Sequence, residues 1–264
     1  HLINRQFSAV SVKASAKLAG GAPVCVLGLD TNQSGTIHLE KDALLNAPNC
    51  AIYSNSKKPD GLKSKDAGSL TASFICSAGG KVADKSDAFA PAPRTDCPVL
   101  PDPLRSRPLP AAGACVATDM VITGSTVNLT PGTYCGGLKI RSGSRVTLTP
   151  GVYIFRGGKL DVGGGSTLTG INVGLHFSGS SLQFDPDSSV SLTAPKSGIM
   201  AGLLISEERK NPEDQKFNIL SNDARMLLGT IYLPQGRLFI GANKPVADQS
   251  AYTAIVTRRI DLKQ

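Results

Sequence analysis

The feature that most constrains this chain is a stretch that repeats itself. Ser-Thr-Val-Asn-Leu-Thr-Pro-Gly-Thr-Tyr at 125–134 returns as Ser-Arg-Val-Thr-Leu-Thr-Pro-Gly-Val-Tyr at 144–153, a period of 19 residues. Each copy consists mainly of strand-forming residues and is too short to bury its own apolar side chains. Units of this kind become stable only by stacking on one another, which is typical of a solenoid.

The pattern continues beyond these two copies, at 166–170 and 188–192. Short strand candidates separated by Gly, Ser or Asn corners, with no sustained apolar stripe at helical spacing, favour an all-β fold. We therefore predict one domain, residues 1–264, folded as a single-stranded right-handed parallel β-helix (β-solenoid). In such a stack four apolar residues should lie one above another: Val127, Val146, Leu168 and Val190.

The chain divides into three parts by composition. Residues 1–81 are predicted to form irregular, longer turns of the stack, and residues 114–264 to form the regular turns. Seven of the 17 prolines fall between residues 91 and 110, and such a segment cannot join a sheet interior. Residues 82–113 either separate two subdomains or lie as a strap along the rod, and we favour the strap. At about 4.8 Å per stacked layer, about eight turns would make a rod near 40 Å long.

The six cysteines indicate disulfides. They include no Cys-x-x-Cys pair and no nearby His, which speaks against zinc. Disulfides in turn predict an oxidising compartment, whereas buried reduced thiols in a cytoplasmic protein are the alternative. Six cysteines allow fifteen connectivities, among which stacked turns favour sequence neighbours. The favoured pairs are Cys25 with Cys50, Cys76 with Cys97, and Cys115 with Cys135.

Motifs in a fixed order carry a resemblance to a known family. Cysteine contexts at 25–30, 46–56 and 97–104 are followed by Pro-Gly-x-Tyr turns at 130–137 and 149–155. From about residue 10 to 260 this series resembles the C-terminal region of TadG-like proteins, which belong to the Tad (tight adherence, Flp-type) pilus systems of bacteria.

The resemblance implies a place in the cell envelope, anchored in the inner membrane and facing the periplasm, or on the pilus. Pilus or envelope subunits are the implied partners, and the membrane is reached only through an N-terminal anchor helix that this chain lacks. Because the chain begins with His1, we expect a truncated or processed form. Residues 7–16 alternate like a strand and are predicted to enter the stack.

The segment 207–216 is longer and more charged than the loops that the resemblance implies. It interrupts apolar strands with charged and amide side chains around a Pro. It is either a solvated loop or a contact surface that projects from the rod. The candidate interaction residues are Glu207, Glu208, Arg209, Lys210, Glu213, Asp214 and Lys216.

Residues suited to catalysis are sparse, and we predict no catalytic residue, no metal and no cofactor. His176 alternates with apolar neighbours and is predicted to be a strand residue satisfied by a hydrogen bond; His38 is predicted to face outward from a strand. Asp185 and Asp187 offer two carboxylates for acid–base work or calcium binding, but Asp before Pro favours a turn. Asp161 has no evident acidic companion in the adjacent repeat.

The net charge of +8 comes from scattered basic residues without interleaved aromatic residues, which speaks against nucleic-acid binding. Anionic lipid headgroups, acidic glycans or an acidic subunit are better partners for such a surface. We predict a non-enzymatic structural or adhesive component of a Tad-type pilus or its assembly machinery. Two alternatives remain, a carbohydrate-active β-helix enzyme with an acidic groove and a trimeric surface rod that binds glycans.

Overall fold

The computed structural model describes residues 23–264, which form stacked coils of parallel β-strands without a helix. The predicted β-solenoid class is therefore confirmed. The strand predicted at 7–16 lies outside the described residues. Within the described range, no helical segment has the length and apolar character needed to span a bilayer.

The described residues form 21 strands, most of which are short because each coil turns sharply at its corners. In chain order they are β1 (Val24–Gly28), β2 (Ile37–Glu40), β3 (Leu44–Ser54), β4 (Leu62–Ser64), β5 (Ser69–Ser77), β6 (Lys81–Ala83), β7 (Phe89–Ala90), β8 (Cys115–Thr123), β9 (Thr126–Leu129), β10 (Gly132–Arg141), β11 (Arg145–Leu148), β12 (Gly151–Arg156), β13 (Leu160–Val162), β14 (Thr167–Gly170), β15 (Val173–Ser178), β16 (Leu182–Phe184), β17 (Ser189–Thr193), β18 (Leu203–Glu207), β19 (Lys216–Ile219), β20 (Asp223–Ile240) and β21 (Thr253–Lys263).

The strands build three faces around one apolar core. The first face runs through β12, β15 and β18, the second through β13, β16 and β19, and the third through β11, β14 and β17. Longer strands bend at corners and contribute to more than one face; β20 contributes to all three. All pairings recorded between these strands are parallel, so like positions of successive coils fall into columns.

The predicted column on the third face is present. Val146 pairs in register with Val127 on one side and with Leu168 on the other, and Leu168 pairs with Val190. A second column, at the end of the first face, stacks aromatic rings: Tyr134 and Phe155 lie 5.9 Å apart, and Phe155 and Phe177 lie 5.1 Å apart. Three of the 13 aromatic residues of the chain therefore stack in one line of the core.

The Thr-Pro-Gly-x-Tyr repeat is a corner that joins the third face to the first. The hydroxyl of Tyr134 donates to the Thr130 carbonyl at 2.7 Å, and the hydroxyl of Tyr153 donates to the Thr149 carbonyl at 2.8 Å. A Cβ at Gly151 would lie 2.3 Å from the Pro131 ring of the coil before it. The proline ring of one corner packs directly on the glycine backbone of the next corner, so this position requires glycine.

The order of the coils along the rod differs from their order in the chain. The last strand, β21, pairs with the first, β1, through Val26 with Ile255, and also with β2 through Ile37 with Ile260. The described chain therefore begins in the middle of the rod, where β1 pairs with β21, and this part is called the waist here. From the waist the chain coils to one end. It then runs back along the side to the far end and coils inward to the waist again.

The rod is also longer than the sequence predicted. It has about 11 turns, hence roughly 50 Å at the spacing of stacked strands, where eight turns were expected. The repeat motif does not reach the coils of β18 to β21, and residues 1–81 were expected to form longer and therefore fewer turns. Both parts contain more coils than their visible motifs.

Candidate interaction surface

A strap, here residues 95–113, covers the outward side of the first face. Of the predicted strap 82–113, the first part belongs to the stack instead, because β6 and β7 pair with the coil before them and Arg94 bridges to Cys76. The remaining strap lies over an outward-facing apolar column that includes Leu27, Tyr53, Tyr232 and Val256. Leu104 of the strap is 3% exposed in this groove, and it is joined there by Leu100 and Leu109.

Three disulfides join sequence neighbours, as favoured above, and their Cα atoms are 5.7 to 6.2 Å apart. One of them links two stacked coils near the waist, Cys25 to Cys50. The others mark the two ends of the strap: Cys97 is bonded to Cys76 at one end of the rod, and Cys115, which opens β8, is bonded to Cys135 at the other. Three bridges are consistent with an oxidising compartment.

Polar contacts hold the middle of the strap. The Arg209 guanidinium donates to the carbonyls of Leu104 at 2.6 Å and Arg107 at 2.8 Å, and its centre lies 5.5 Å from the centroid of the Tyr232 ring. The Tyr232 hydroxyl donates to the Asp102 carboxylate at 2.7 Å. Asn55 donates to and accepts from the backbone of Leu100, at 2.8 and 2.9 Å. The strap is thus bound mainly through its backbone.

Replacing Arg209 should loosen the strap. We expect Arg209→Ala to lower the free energy of unfolding by about 2–3 kcal/mol, because charge-assisted hydrogen bonds to two strap carbonyls are lost. Trypsin should then cut the strap at Arg105 faster than in the parent protein. Chemical denaturation and timed proteolysis with mass analysis measure the two effects.

The neighbouring residue provides a matched control. Lys210 is exposed and makes no contact with the strap among those described, so Lys210→Ala should leave both measurements unchanged. Equal cleavage rates in the two variants would show that Arg209 does not hold the strap.

The other residues of the predicted interaction loop have diverse positions. Glu208 accepts from Ser178 at 2.6 Å. Asp214 and Glu213 form ion pairs with Arg258, although Glu213 remains exposed, as do Lys210 and Lys216. Much of the segment is therefore fastened to the strap or to neighbouring coils, and the charges left for a partner are mainly those of Lys210, Glu213 and Lys216.

Glu207 differs from the rest of the predicted loop, because its side chain lies inside the rod. It is 0% exposed and occupies the position after Phe177 in the aromatic column. Its carboxyl accepts from the backbone N–H of Gln235 at 2.7 Å, from the N–H of Gly236, and from the Asn211 amide at 3.1 Å. Burial raises its pKa to about 7 although these three donors favour the charged form. Glu207 holds a corner and is not a surface contact.

His176 matches its prediction as a satisfied strand residue. Its side chain belongs to β15 of the first face and is 2% exposed. Its Nδ1 lies 2.9 Å from the Ser206 hydroxyl in the next coil. Burial lowers the pKa of this imidazole to about 4, so the ring is neutral over most of the physiological range. His38, in β2, faces Asp261 at 3.6 Å.

The aspartates of the regular coils lie closer together than the sequence predicted. Arg141 forms an ion pair with Asp161 and lies 3.7 Å from Asp185 of the following coil. Asp161 has no acidic partner in register, since it pairs with Lys139 and Gln183, but Arg141 links it to Asp185. Asp187 accepts from the N–H of Gly165 at 2.8 Å, as expected of a turn residue. Residues 23–264 contain no group of three or more His, Cys, Asp or Glu placed to hold a metal ion.

A cleft of about 400 Å³ lies where the strap meets the corner between the first and second faces. Its walls include Asn55 and Gln235 from the coils and Asp102 and Arg105 from the strap. Sequence reasoning did not identify these residues as neighbours, because they come from three distant parts of the chain. The signals that pointed to a strap were the Pro-rich composition and the cysteines at its two ends, Cys97 and Cys115.

Comparison with known proteins gives no family for this chain. No family model matches it, and neither the curated proteins nor the solved structures contain a significant match. Proposals about function therefore depend on the geometry described above and on the motif resemblance.

Proposed function

We propose that this protein is a non-enzymatic structural or adhesive component of a bacterial Tad-type pilus or of its envelope assembly machinery. In this role it acts as a stiff, disulfide-braced rod that binds partner subunits or surfaces. The observation that carries the proposal is the strap, which runs along the stack between two disulfides and is bound to the coils between them.

The strap should make the rod resist force along its axis. To pull the coils apart along the rod, a force must break parallel backbone ladders on three faces and also stretch a strap that is bonded covalently near both ends. Stacked coils alone could fray from either end, since each coil contacts only its neighbours. The strap makes the two ends mechanically dependent on each other, which suits a component of a filament or its anchor.

Deleting the gene in the producing bacterium tests the proposal. We expect fewer surface filaments and weaker adhesion, both restored by the wild-type gene. A gene carrying Cys76→Ser and Cys97→Ser should restore them only in part, because the strap is released at one end. Electron microscopy of the filaments and a surface-attachment assay provide the measurements, and unchanged filaments and attachment in the deletion strain would contradict the proposal.

The meeting of Asp161 and Asp185 favours one second candidate, a carbohydrate-active enzyme. Glycoside hydrolysis uses two carboxyl groups a few ångströms apart, and these two lie on neighbouring coils beside one arginine. Polysaccharide turnover that disappears in Asp161→Asn and persists in Asp187→Asn would support the enzyme over the structural rod. Without such turnover, the pair serves to fasten two corners.

A further inference from the structure

The two ends of the rod are built differently. One end, here called the open end, is the coil of β8 and β9, residues 115–129. The other, the closed end, is the coil formed by β6, β7 and Arg94, residues 81–96. Each end presents strands that are paired with a neighbour on one side only among the residues described.

The open end leaves part of the apolar core less covered, although Ile122 and Leu129 of its coil are each 5% exposed. In the adjoining coil Leu138 is 0% exposed and Val146 is 1% exposed, whereas their partners in the terminal coil, Met120 and Val127, are only half-buried. On its outer side Val121 is 60% exposed. Unpaired strand edges with apolar side chains are the usual template for pairing with another chain.

The chemistry of the open end offers little protection against such pairing. Residues 115–129 contain one charged side chain, Asp119, no proline and several β-branched residues. Natural edges that must stay free carry lysines, prolines, bulges or very short strands. The terminal coil has no lysine or proline and β8 is nine residues long, although β8 has one extra residue, Val116, where its register with β10 shifts.

The closed end has the protective features. Residues 81–96 contain six charged side chains, and Pro91 and Pro93 cannot donate backbone hydrogen bonds to an added strand. Its strands are short, three residues in β6 and two in β7. A head-to-tail chain of rods would have to pair the open end with this closed end, which is the less favourable contact.

We propose that the open end is an interface between two copies of this chain, which join end to end about a two-fold axis perpendicular to the rod. Such an axis sets the terminal strands of the two copies antiparallel, a pairing that β-edges form readily. The nearly uncharged surface is compatible with itself, whereas side-by-side contact would bring together molecules with a net charge of +8 each. Closed two-fold dimers are also the commonest homo-oligomers.

The first and the last described residues lie next to the waist, so neither of them forms an end of the rod. Residue 23 precedes β1 and residue 264 follows β21, and these two strands pair with each other at the waist. The dimer does not depend on the proposed pilus function, because it follows from the two ends alone.

Sedimentation velocity of the purified chain at rising concentration tests the proposal. The mass is expected to rise from 27.4 kDa toward twice that value and no further. Val121→Lys at the open end and Val82→Lys at the closed end form a matched pair of variants. Both valines are exposed on the second face. Val121 pairs in register with Lys139 of the adjoining coil, and Val82 pairs in the same way with Lys63.

Val121→Lys should weaken dimerisation at least about tenfold, because the two-fold axis brings two copies of the added charge to one interface. Val82→Lys should dimerise like the parent. The proposal would be overturned if the parent stayed monomeric or if both variants had the same effect. It would also be overturned if the parent formed assemblies larger than a dimer and Val82→Lys abolished them.

Hydrogen exchange on the unmodified protein gives a second readout. Amides of β8 and β9 should exchange more slowly as the concentration rises, and amides of β6 and β7 should not. Exchange that is independent of concentration in β8 and β9 would contradict strand pairing at the open end.

Discussion

Reduction of the three disulfides is expected to lower the free energy of unfolding by about 3 kcal/mol for each bridge. The bridges close loops with sequence separations of 25, 21 and 20 residues, and opening them returns conformational freedom to the unfolded chain. Together they amount to much of the stability of a typical domain, about 5–15 kcal/mol. Urea denaturation with and without reductant, followed by circular dichroism, should show a large shift of the midpoint.

Pairwise replacement separates the structural roles of the bridges. Cys25→Ser with Cys50→Ser removes a link between coils that also share a parallel ladder. Cys76→Ser with Cys97→Ser also frees one end of the strap. Both pairs should lose stability to a similar extent, but only the second should speed tryptic cleavage at Arg105. A denaturation midpoint that does not move on reduction would show that the bridges add no stability.

Much of the fold could be predicted because stacking places like residues in register. The 19-residue period, the column from Val127 to Val190 and the cysteine pairs all report contacts between neighbouring coils. A coil follows the previous one after about 20 residues, so sequence similarity and spacing reveal such contacts directly.

The order of the coils could not be predicted, because no residue pattern marks the meeting of β1 and β21. Parallel ladders are made by backbone groups, which are the same in every coil, and an apolar column continues through Val26 and Ile255 as it does elsewhere. The contacts that hold the strap could not be predicted for the same reason, since Arg209 binds it through carbonyl groups that any residue supplies.

The candidate site was predicted less well than the fold. We predicted that Glu207 lies on the surface with its charged neighbours, because acidic residues are rarely buried without partners. In the structure it has three donors, two of them backbone N–H groups of the corner at Gln235 and Gly236. Those donors are 28 and 29 residues away in sequence, so no local pattern could indicate them.

Two buried titratable groups should give the stability of the rod an unusual dependence on pH. His176 has a pKa of about 4, below its ordinary 6.5, so the unfolded chain takes up the proton first and stability falls as the pH drops from 6.5 to 4. Glu207 has a pKa of about 7, above its ordinary 4.5; its contribution is fully present below pH 4.5 and is lost as the pH rises to 7. Between pH 4.5 and 6.5 the two effects oppose each other.

Single substitutions should separate the two effects. In Glu207→Gln the stability should rise by about 3 kcal/mol between pH 4 and 6.5, and in His176→Asn it should fall by about 3 kcal/mol between pH 4.5 and 7, since one pKa unit corresponds to about 1.4 kcal/mol. The parent should change less than either variant between pH 4.5 and 6.5. Glu213→Gln, at an exposed position of the same segment, should keep the profile of the parent. Urea midpoints across this pH range measure all four proteins, and parallel profiles for the parent and both buried-site variants would show that neither group changes its proton affinity on folding.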